Sequence, residues 1–401
     1  MIAEGTLDSL GVIAEADGSL IVGHKPELAR LRDTDGDGWF ETHEIVSSDF
    51  LATGNYHEYL HGPAKGTNGN YYFLLNLSHH NEKKAIHKAD GRFMGTQGGY
   101  RGWALEVTPD GKTTPFANGL RSPAGIATGP DGKIYVAENQ GEYVGTSKLF
   151  VLEKGKFYGH PSGLVDLPGM KPDSPQIQWE QVKGTKEKAL ALMAHSRLAN
   201  SPGSPAWADQ AFGAYAGEMF VGDQTLSNLF RILPKANHES AAIPFADGFP
   251  SGVMRPLFSA DGTLLIGQTG RGWRARGGSE HALVAIMRTA EALGPQIADL
   301  TRDGATFTIH FTEPFSGNLA VADLKAHSYT MLDSPKYGSP ANDKMDHVFT
   351  KVEKSADQLS LKVTVEKLPA AGKNTIIRFH SKKLPATKGG EFEAFYTIVS
   401  E

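Results

Sequence analysis

The chain has 401 residues, a formal net charge of −5 and no cysteine. Disulfides, thiolate metal sites, covalently attached c-type haem and cysteine nucleophiles are therefore excluded. Without a basic surplus, nucleic acid and anionic membranes are poor partners. No apolar run approaches the length of a transmembrane helix. The opening, MIAEGTLDSLGVIAEADGSLIVG, has neither the basic nor the apolar region of a signal peptide. It reads as the middle of a β-rich unit, as a trimmed or incomplete N-terminus would.

The 46 glycines and 22 prolines fit an all-β chain of short strands and many turns. One pattern recurs: a glycine-bearing turn, then an alternating or apolar strand. It appears at 16–23 (ADGSLIVG), 67–75, 129–138, 216–223 and 260–268. The turn glycines are Gly18, Gly69, Gly132, Gly217 and Gly262, spaced 51, 63, 85 and 45 apart. Glycine supplies the positive φ of a hairpin turn, and repeats of this length mark propeller blades. The expected fold over residues 1–290 is a six-bladed-type β-propeller. A β-sandwich with similar hairpins is the alternative. Five repeats are visible, so a first blade is missing or incomplete upstream of Met1, or a blade lies in the 85-residue gap. The shortened N-terminus is the preferred reading.

Residues 33–44, DTDGDGWFETHE, place Asp33, Asp35, Asp37, Gly38 and Glu44 at positions 1, 3, 5, 6 and 12 of an EF-hand loop. The Trp39 carbonyl and Glu41 fall at positions 7 and 9. This spacing wraps hard oxygens around one point, as Ca²⁺ requires. The flanks ELARLR and IVSSDF do not read as helices. The expectation is a loop between strands and between blades, holding a structural calcium.

The segment 184–200 has helix-forming composition and reads as an insertion helix or loop. Near 287–300 the character changes to period-2 strands such as DGATFTIHFTEP and DQLSLKVTVEKL. An immunoglobulin- or fibronectin-like β-sandwich is expected over residues 291–401.

The stretch 118–161 carries an Arg-Ser-Pro-x-Gly segment, an Asn-Gln-Gly turn and a Gly-Lys-Phe-Tyr-Gly segment. It resembles the soluble quinoprotein glucose/sorbosone dehydrogenase family. With Asp33–Gly38, His61–Pro63, Gly222–Gln224 and GQTGRGW (267–273), it resembles more closely the predicted membrane-bound dehydrogenase propellers of planctomycete-type bacteria, without their haem domain. The resemblance spans about residues 10–290. It implies a periplasmic or extracellular oxidoreductase acting on a sugar or alcohol, with pyrroloquinoline quinone (PQQ) and Ca²⁺ as cofactors. A separate cytochrome would accept the electrons. Arg121 matches the catalytic arginine, and Ser122 stands where asparagine is usual. His57 or His61 is the candidate base. Gln140, Gly141 and Glu142 match the cofactor turn and a second, catalytic calcium.

The family's cationic clamps fall on Thr225, Gly252 and Met254, where burying three carboxylates would lack partners. Arg255, Arg271, Arg274 and Arg276 are substitutes, and Trp273 suits a sugar ring. Two other readings stand beside the dehydrogenase. One is a propeller lactonase, with metal held by Glu138, Asn139 and Asp223, or a polysaccharide lyase using types such as His57, Tyr56, Tyr59, His79, His80 and Arg121. The other is a non-catalytic carbohydrate-binding or scaffold module.

Overall fold

The computed structural model describes residues 2–79, 94–287 and 294–400. Its architecture is all-β, built from successive antiparallel sheets. The chain divides into two compact units. The first comprises Met1–Gly145, Phe150–Glu187 and Asp333–Gly338; the second comprises Thr146–Leu149, Lys188–Leu332 and Ser339–Glu401.

In the first unit, strands Leu7–Ala14, Leu20–Lys25, Glu27–Arg32 and Thr42–Ser47 pair in chain order as one sheet. Strands Leu60–Lys65, Tyr71–Leu75, Trp103–Val107 and Thr113–Asn118 form the next. Pro123–Thr128 and Ile134–Glu138 begin a third. The first strand of each sheet packs on the first strand of the following one, the arrangement of neighbouring propeller blades. Glycine makes that approach possible. A Cβ on Gly11 would lie 2.3 Å, and one on Gly23 2.2 Å, from the Gly62 carbonyl oxygen.

The second unit repeats the scheme. Pro202–Trp207, Met219–Asp223, Asn228–Pro234 and Glu239–Ala246 pair in order, followed by Val253–Phe258, Leu264–Thr269 and His281–Ile286. All five turn glycines adopt positive φ, between 77° and 81°, and each leads into the second strand of its sheet. The 85-residue interval holds no sixth sheet. Much of it is the helical turns Pro161–Asp166, Pro175–Ile177 and Trp179–Val182.

Segment 184–200, expected as an insertion helix or loop, is largely loop and contributes one short strand. Lys183–Thr185 is a 3₁₀ turn, and Ala191–Leu192 pairs antiparallel with Lys148–Leu149. Ala189, Ala191, Leu192, Met193, Ala194 and Leu198 are all buried. A surface helix needs one polar face, and this apolar run has none to offer.

The C-terminal strands form a sandwich, but one of its sheets does not stand alone. Phe392–Ile398 pairs with Glu239–Ala246, so the fourth blade-type sheet continues into the sandwich as eight strands. The facing sheet holds Ile297–Asp303, Thr306–Phe311, Ser360–Val365 and Phe349–Lys354. Their common core includes Ile243, Phe307, Val363, Phe379 and Phe392. Polar groups reinforce the junction. Glu239 Oε2 accepts from Tyr396 Oη at 2.6 Å and from Arg302 Nε at 3.0 Å. Buried Arg231 donates to the carbonyls of Ile297 and Ala298.

Candidate functional site

The sixth residue after each turn glycine occupies one structural position: His24, Leu75, Glu138, Asp223 and Gln268. At three of these, an acceptor ties down the start of its own sheet. Glu138 accepts from the amides of Arg121 and Ser122, both at 2.8 Å, and of Asn139 at 3.0 Å. Asp223 accepts from the amides of Asn200, Ser201 and Leu226 at 2.5–2.8 Å. Gln268 Oε1 accepts from the Ser251 amide at 2.9 Å. These side chains replace ladder bonds that the irregular entry to each first strand leaves open.

That role bears on the lactonase metal set, because the oxygens of Glu138 and Asp223 are already occupied by backbone donors. Burial pushes the Glu138 carboxyl up to about 7, against the pull of its amides and of Arg121. Asp223 is likewise raised, to about 6. A carboxyl raised on folding contributes stability that is fully present below its unfolded pKa. That stability is lost as pH rises through the folded value. Wild type should therefore lose about 3 kcal/mol between pH 4 and 8 relative to Glu138→Gln. Denaturant melts across that range measure it; a pH-independent difference contradicts the assignment.

Arg121 begins the same segment. Its side chain is about 2% exposed. Nε donates to Glu142 Oε2 at 2.7 Å and Nη1 to the Gln140 carbonyl at 3.1 Å. The guanidinium lies 5.0 Å over the Tyr337 ring, contributed by Asp333–Gly338. Nη2 is buried and has no hydrogen-bond partner among the described residues. Gly141 makes room for this packing, since a Cβ there would meet Arg121 Nε at 2.0 Å. The other oxygen of Glu142 accepts from the Met94 amide at 3.0 Å.

His57 lies beside this cation. Its Nδ1 is 2.8 Å from the Leu77 carbonyl, and its Nε2 is 3.4 Å from Ser122 Oγ. Asn76 Nδ2 donates to the same hydroxyl at 3.3 Å. Burial first, then the Arg121 charge, draws the His57 pKa down to about 3, although the Leu77 carbonyl opposes the shift. The ring is thus neutral near neutral pH. The carbonyl can only accept, so Nδ1 carries the hydrogen and Nε2 presents its lone pair toward Ser122. His57 feels the Arg121 charge; a lone-pair base and a guanidinium N–H acting on one hydroxyl can take its proton and stabilise the oxygen left behind.

His57 rather than His61 therefore meets Ser122. His61 is buried in strand Leu60–Lys65 with its ring 5.8 Å from Tyr59. Tyr56 and His79 face each other at 5.4 Å, and Lys25 Nζ sits 4.4 Å from the Tyr59 ring centroid. His80 lies outside the described residues. Arg255, Arg271, Trp273, Arg274 and Arg276 all belong to the second unit, as do Thr225, Gly252 and Met254. There Arg255 Nη1 donates to the Met254 carbonyl at 3.0 Å. Gln224 Nε2 pins the carbonyls of Arg271 and Trp273 at 3.1 and 3.2 Å. The Trp273 side chain is largely exposed.

The acidic loop joins strands Glu27–Arg32 and Thr42–Ser47, which pair with each other. It lies within one sheet, not between blades as its position had suggested. Asp33 accepts from the amides of Gly36 and Gly38 at 2.7 and 2.9 Å, and Asp37 from that of Trp39 at 2.7 Å. Oxygens of Asp33, Asp35 and Asp37 lie within 4.8 Å of one another. Glu41 turns instead to Thr34, and Glu44 sits in the following strand opposite Arg30.

Tyr337 and Asn76 were not singled out by the sequence. Nothing in the sequence ties Tyr337 to Arg121, 216 positions earlier. Asn76 directly follows strand Tyr71–Leu75, and that location was the one available signal.

No protein-family model and no curated protein sequence matches the chain. Solved structures do superimpose on part of it. A glucose dehydrogenase is 17% identical with a TM-score of 0.49, covering 71% of this chain and 84% of that one. The PQQ-bound aldose sugar dehydrogenase from Streptomyces coelicolor is 14% identical with a TM-score of 0.40, covering 71% and 95%. A gluconolactonase from Xanthomonas campestris is 13% identical with a TM-score of 0.39, covering 67% and 71%.

Proposed function

We propose that the first unit carries a hydroxyl-activating site for a sugar or alcohol, in the manner of a sugar dehydrogenase. The observation that carries this reading is a neutral His57 within the influence of Arg121, whose buried Nη2 has no partner among the described residues. His57 Nε2 takes the hydroxyl proton, and Arg121 holds the developing oxyanion. Asn76 and Ser122 orient the hydroxyl by hydrogen bonding. The lactonase reading is weaker because Glu138 and Asp223 spend their oxygens on backbone amides.

PQQ would supply the hydride acceptor in such a reaction. The free Arg121 nitrogen suits one oxygen of such a group, but the rest of the set does not. Two buried carboxylates, Glu138 and Glu142, stand by this single cation, and Thr225, Gly252 and Met254 carry no charge. A tricarboxylate held in the family's way is a poor fit. A second calcium at Gln140–Glu142 fits no better. The Gln140 carbonyl is bonded to Arg121, the Gly141 carbonyl accepts from the Gly338 amide at 2.9 Å, and Arg121 neutralises Glu142.

A structural Ca²⁺ at the exposed loop belongs to the proposal, held by the lone pairs that Asp33, Asp35 and Asp37 keep beside their amide bonds and without Glu41 and Glu44. Among the described residues no helix is long and apolar enough to cross a membrane. Export to the periplasm or outside, and a separate cytochrome as acceptor, belong to the same proposal. Dye reduction over a panel of sugars and alcohols, with and without added PQQ and Ca²⁺, tests it. Substrate-dependent reduction supports the reading. Sugar binding without reduction under any condition would turn it into a binding module.

A further inference from the structure

His24, Glu27 and His43 converge on the first sheet. His24 lies in strand Leu20–Lys25, Glu27 opens the next strand directly opposite it, and His43 comes from Thr42–Ser47. One ligand atom from each lies within 4.8 Å of the other two. His43 Nε2 is 2.6 Å, and His24 Nε2 3.5 Å, from the same oxygen, Glu27 Oε1.

His24 is about 2% exposed, and its Nε2 makes no hydrogen bond among the described residues. An unsatisfied buried polar atom costs stability. Its Nδ1 is 2.8 Å from the Lys25 carbonyl. Because that carbonyl can only accept, Nδ1 carries the hydrogen and the lone pair sits on Nε2. A lone pair and a carboxylate oxygen then face each other at 3.5 Å, and a cation bound to both relieves both.

The repeat position sharpens the contrast. Glu138, Asp223 and Gln268 accept short amide bonds there, whereas the Leu7 amide lies 3.4 Å from His24 Nδ1, the nitrogen already committed at 2.8 Å to the Lys25 carbonyl, so His24 does not serve as its acceptor. Tying down the first strand does not account for an imidazole at this place.

We propose that His24 Nε2, His43 Nε2 and the Glu27 carboxylate bind a divalent metal of the Zn²⁺ class. Two imidazoles and one carboxylate are borderline ligands that suit Zn²⁺ over Ca²⁺. The Nδ1–H to carbonyl bond of His24 is the outer contact that orients a ligating histidine. Binding displaces the proton shared by His43 and Glu27, and water fills the remaining position on the half-exposed His43 side. The metal ties three strands of the sheet together, apart from the hydroxyl-activating chemistry.

The test uses the full chain, stripped with chelator and kept in excess Ca²⁺ so that the Asp33–Asp37 loop does not compete. Zn²⁺ is titrated by calorimetry and Co²⁺ by visible absorption. The expected result is one equivalent bound, Co²⁺ bands of low coordination number and a raised melting temperature. His43→Gln, at a half-exposed position that folding tolerates, should weaken binding by about tenfold or more. Asp35→Asn should leave it unchanged. Absence of Co²⁺ bands, binding indifferent to His43→Gln, or binding lost in Asp35→Asn each overturns the proposal.

Discussion

Replacing Arg121 by methionine is expected to cost about 3–5 kcal/mol of folding stability and to abolish turnover. Arg121 and Glu142 are each about 2% exposed and bonded at 2.7 Å. Methionine keeps much of the volume but leaves the Glu142 carboxylate buried, with the Met94 amide as its remaining donor among the described residues. Stranding a charge in that way is far more damaging than losing a surface pair. The double variant Arg121→Met/Glu142→Gln should recover most of the loss, because it removes the stranded charge together with its partner. Denaturant unfolding of both variants measures the effect. A single-variant cost below about 1 kcal/mol, the range of exposed pairs, would mean that the two groups are solvated.

His57→Gln is expected to lower kcat by about 10²- to 10⁴-fold, the usual contribution of a positioned base. Glutamine can still donate to the Leu77 carbonyl, so folding should be disturbed much less than catalysis. The pH profile separates a base from a structural residue. With its pKa held near 3, His57 stays neutral through mildly acidic conditions, so it contributes no fall in kcat/KM between pH 7 and 5. Its stability effect has the opposite sign to that of Glu138. A histidine depressed on folding contributes stability that is present above its ordinary value and lost as pH falls toward the folded one. Equal activity in wild type and His57→Gln would remove the histidine from the mechanism.

Much of the fold was legible because glycine at positive φ leaves a fixed mark. Gly18, Gly69, Gly132, Gly217 and Gly262 each begin the second strand of a blade-type sheet. The period-2 strands of the C-terminal sandwich were equally plain. Its fusion with strand Glu239–Ala246 was not, since the residues of an edge strand do not say which distant strand will pair with it. Segment 184–200 is loop over most of its length, one of its two expected states, and its short strand Ala191–Leu192 was not foreseen because two paired residues leave no period to read.

Arg121, His57 and Glu142 entered as candidates on the resemblance alone, whereas the grouping of His24 with Glu138, Asp223 and Gln268 was not foreseen. The four share a place in the repeat but not a chemistry, and similarity of side chains is what a reader of sequence looks for. Tyr337 reaches Arg121 from Asp333–Gly338, a segment more than 200 residues away that packs into the first unit.

The proposed chemistry requires that the His57 ring be neutral and carry its hydrogen on Nδ1. Long-range ¹⁵N–¹H spectra of the histidine rings, taken from pH 8 to pH 4.5 and assigned with His57→Gln, test it most directly. The His57 ring is predicted to remain neutral throughout, protonated on Nδ1, with its Nε2 resonance moving when a bound sugar or alcohol hydroxyl reaches it. A ring that titrates near its ordinary value, or that carries its hydrogen on Nε2, would contradict the account.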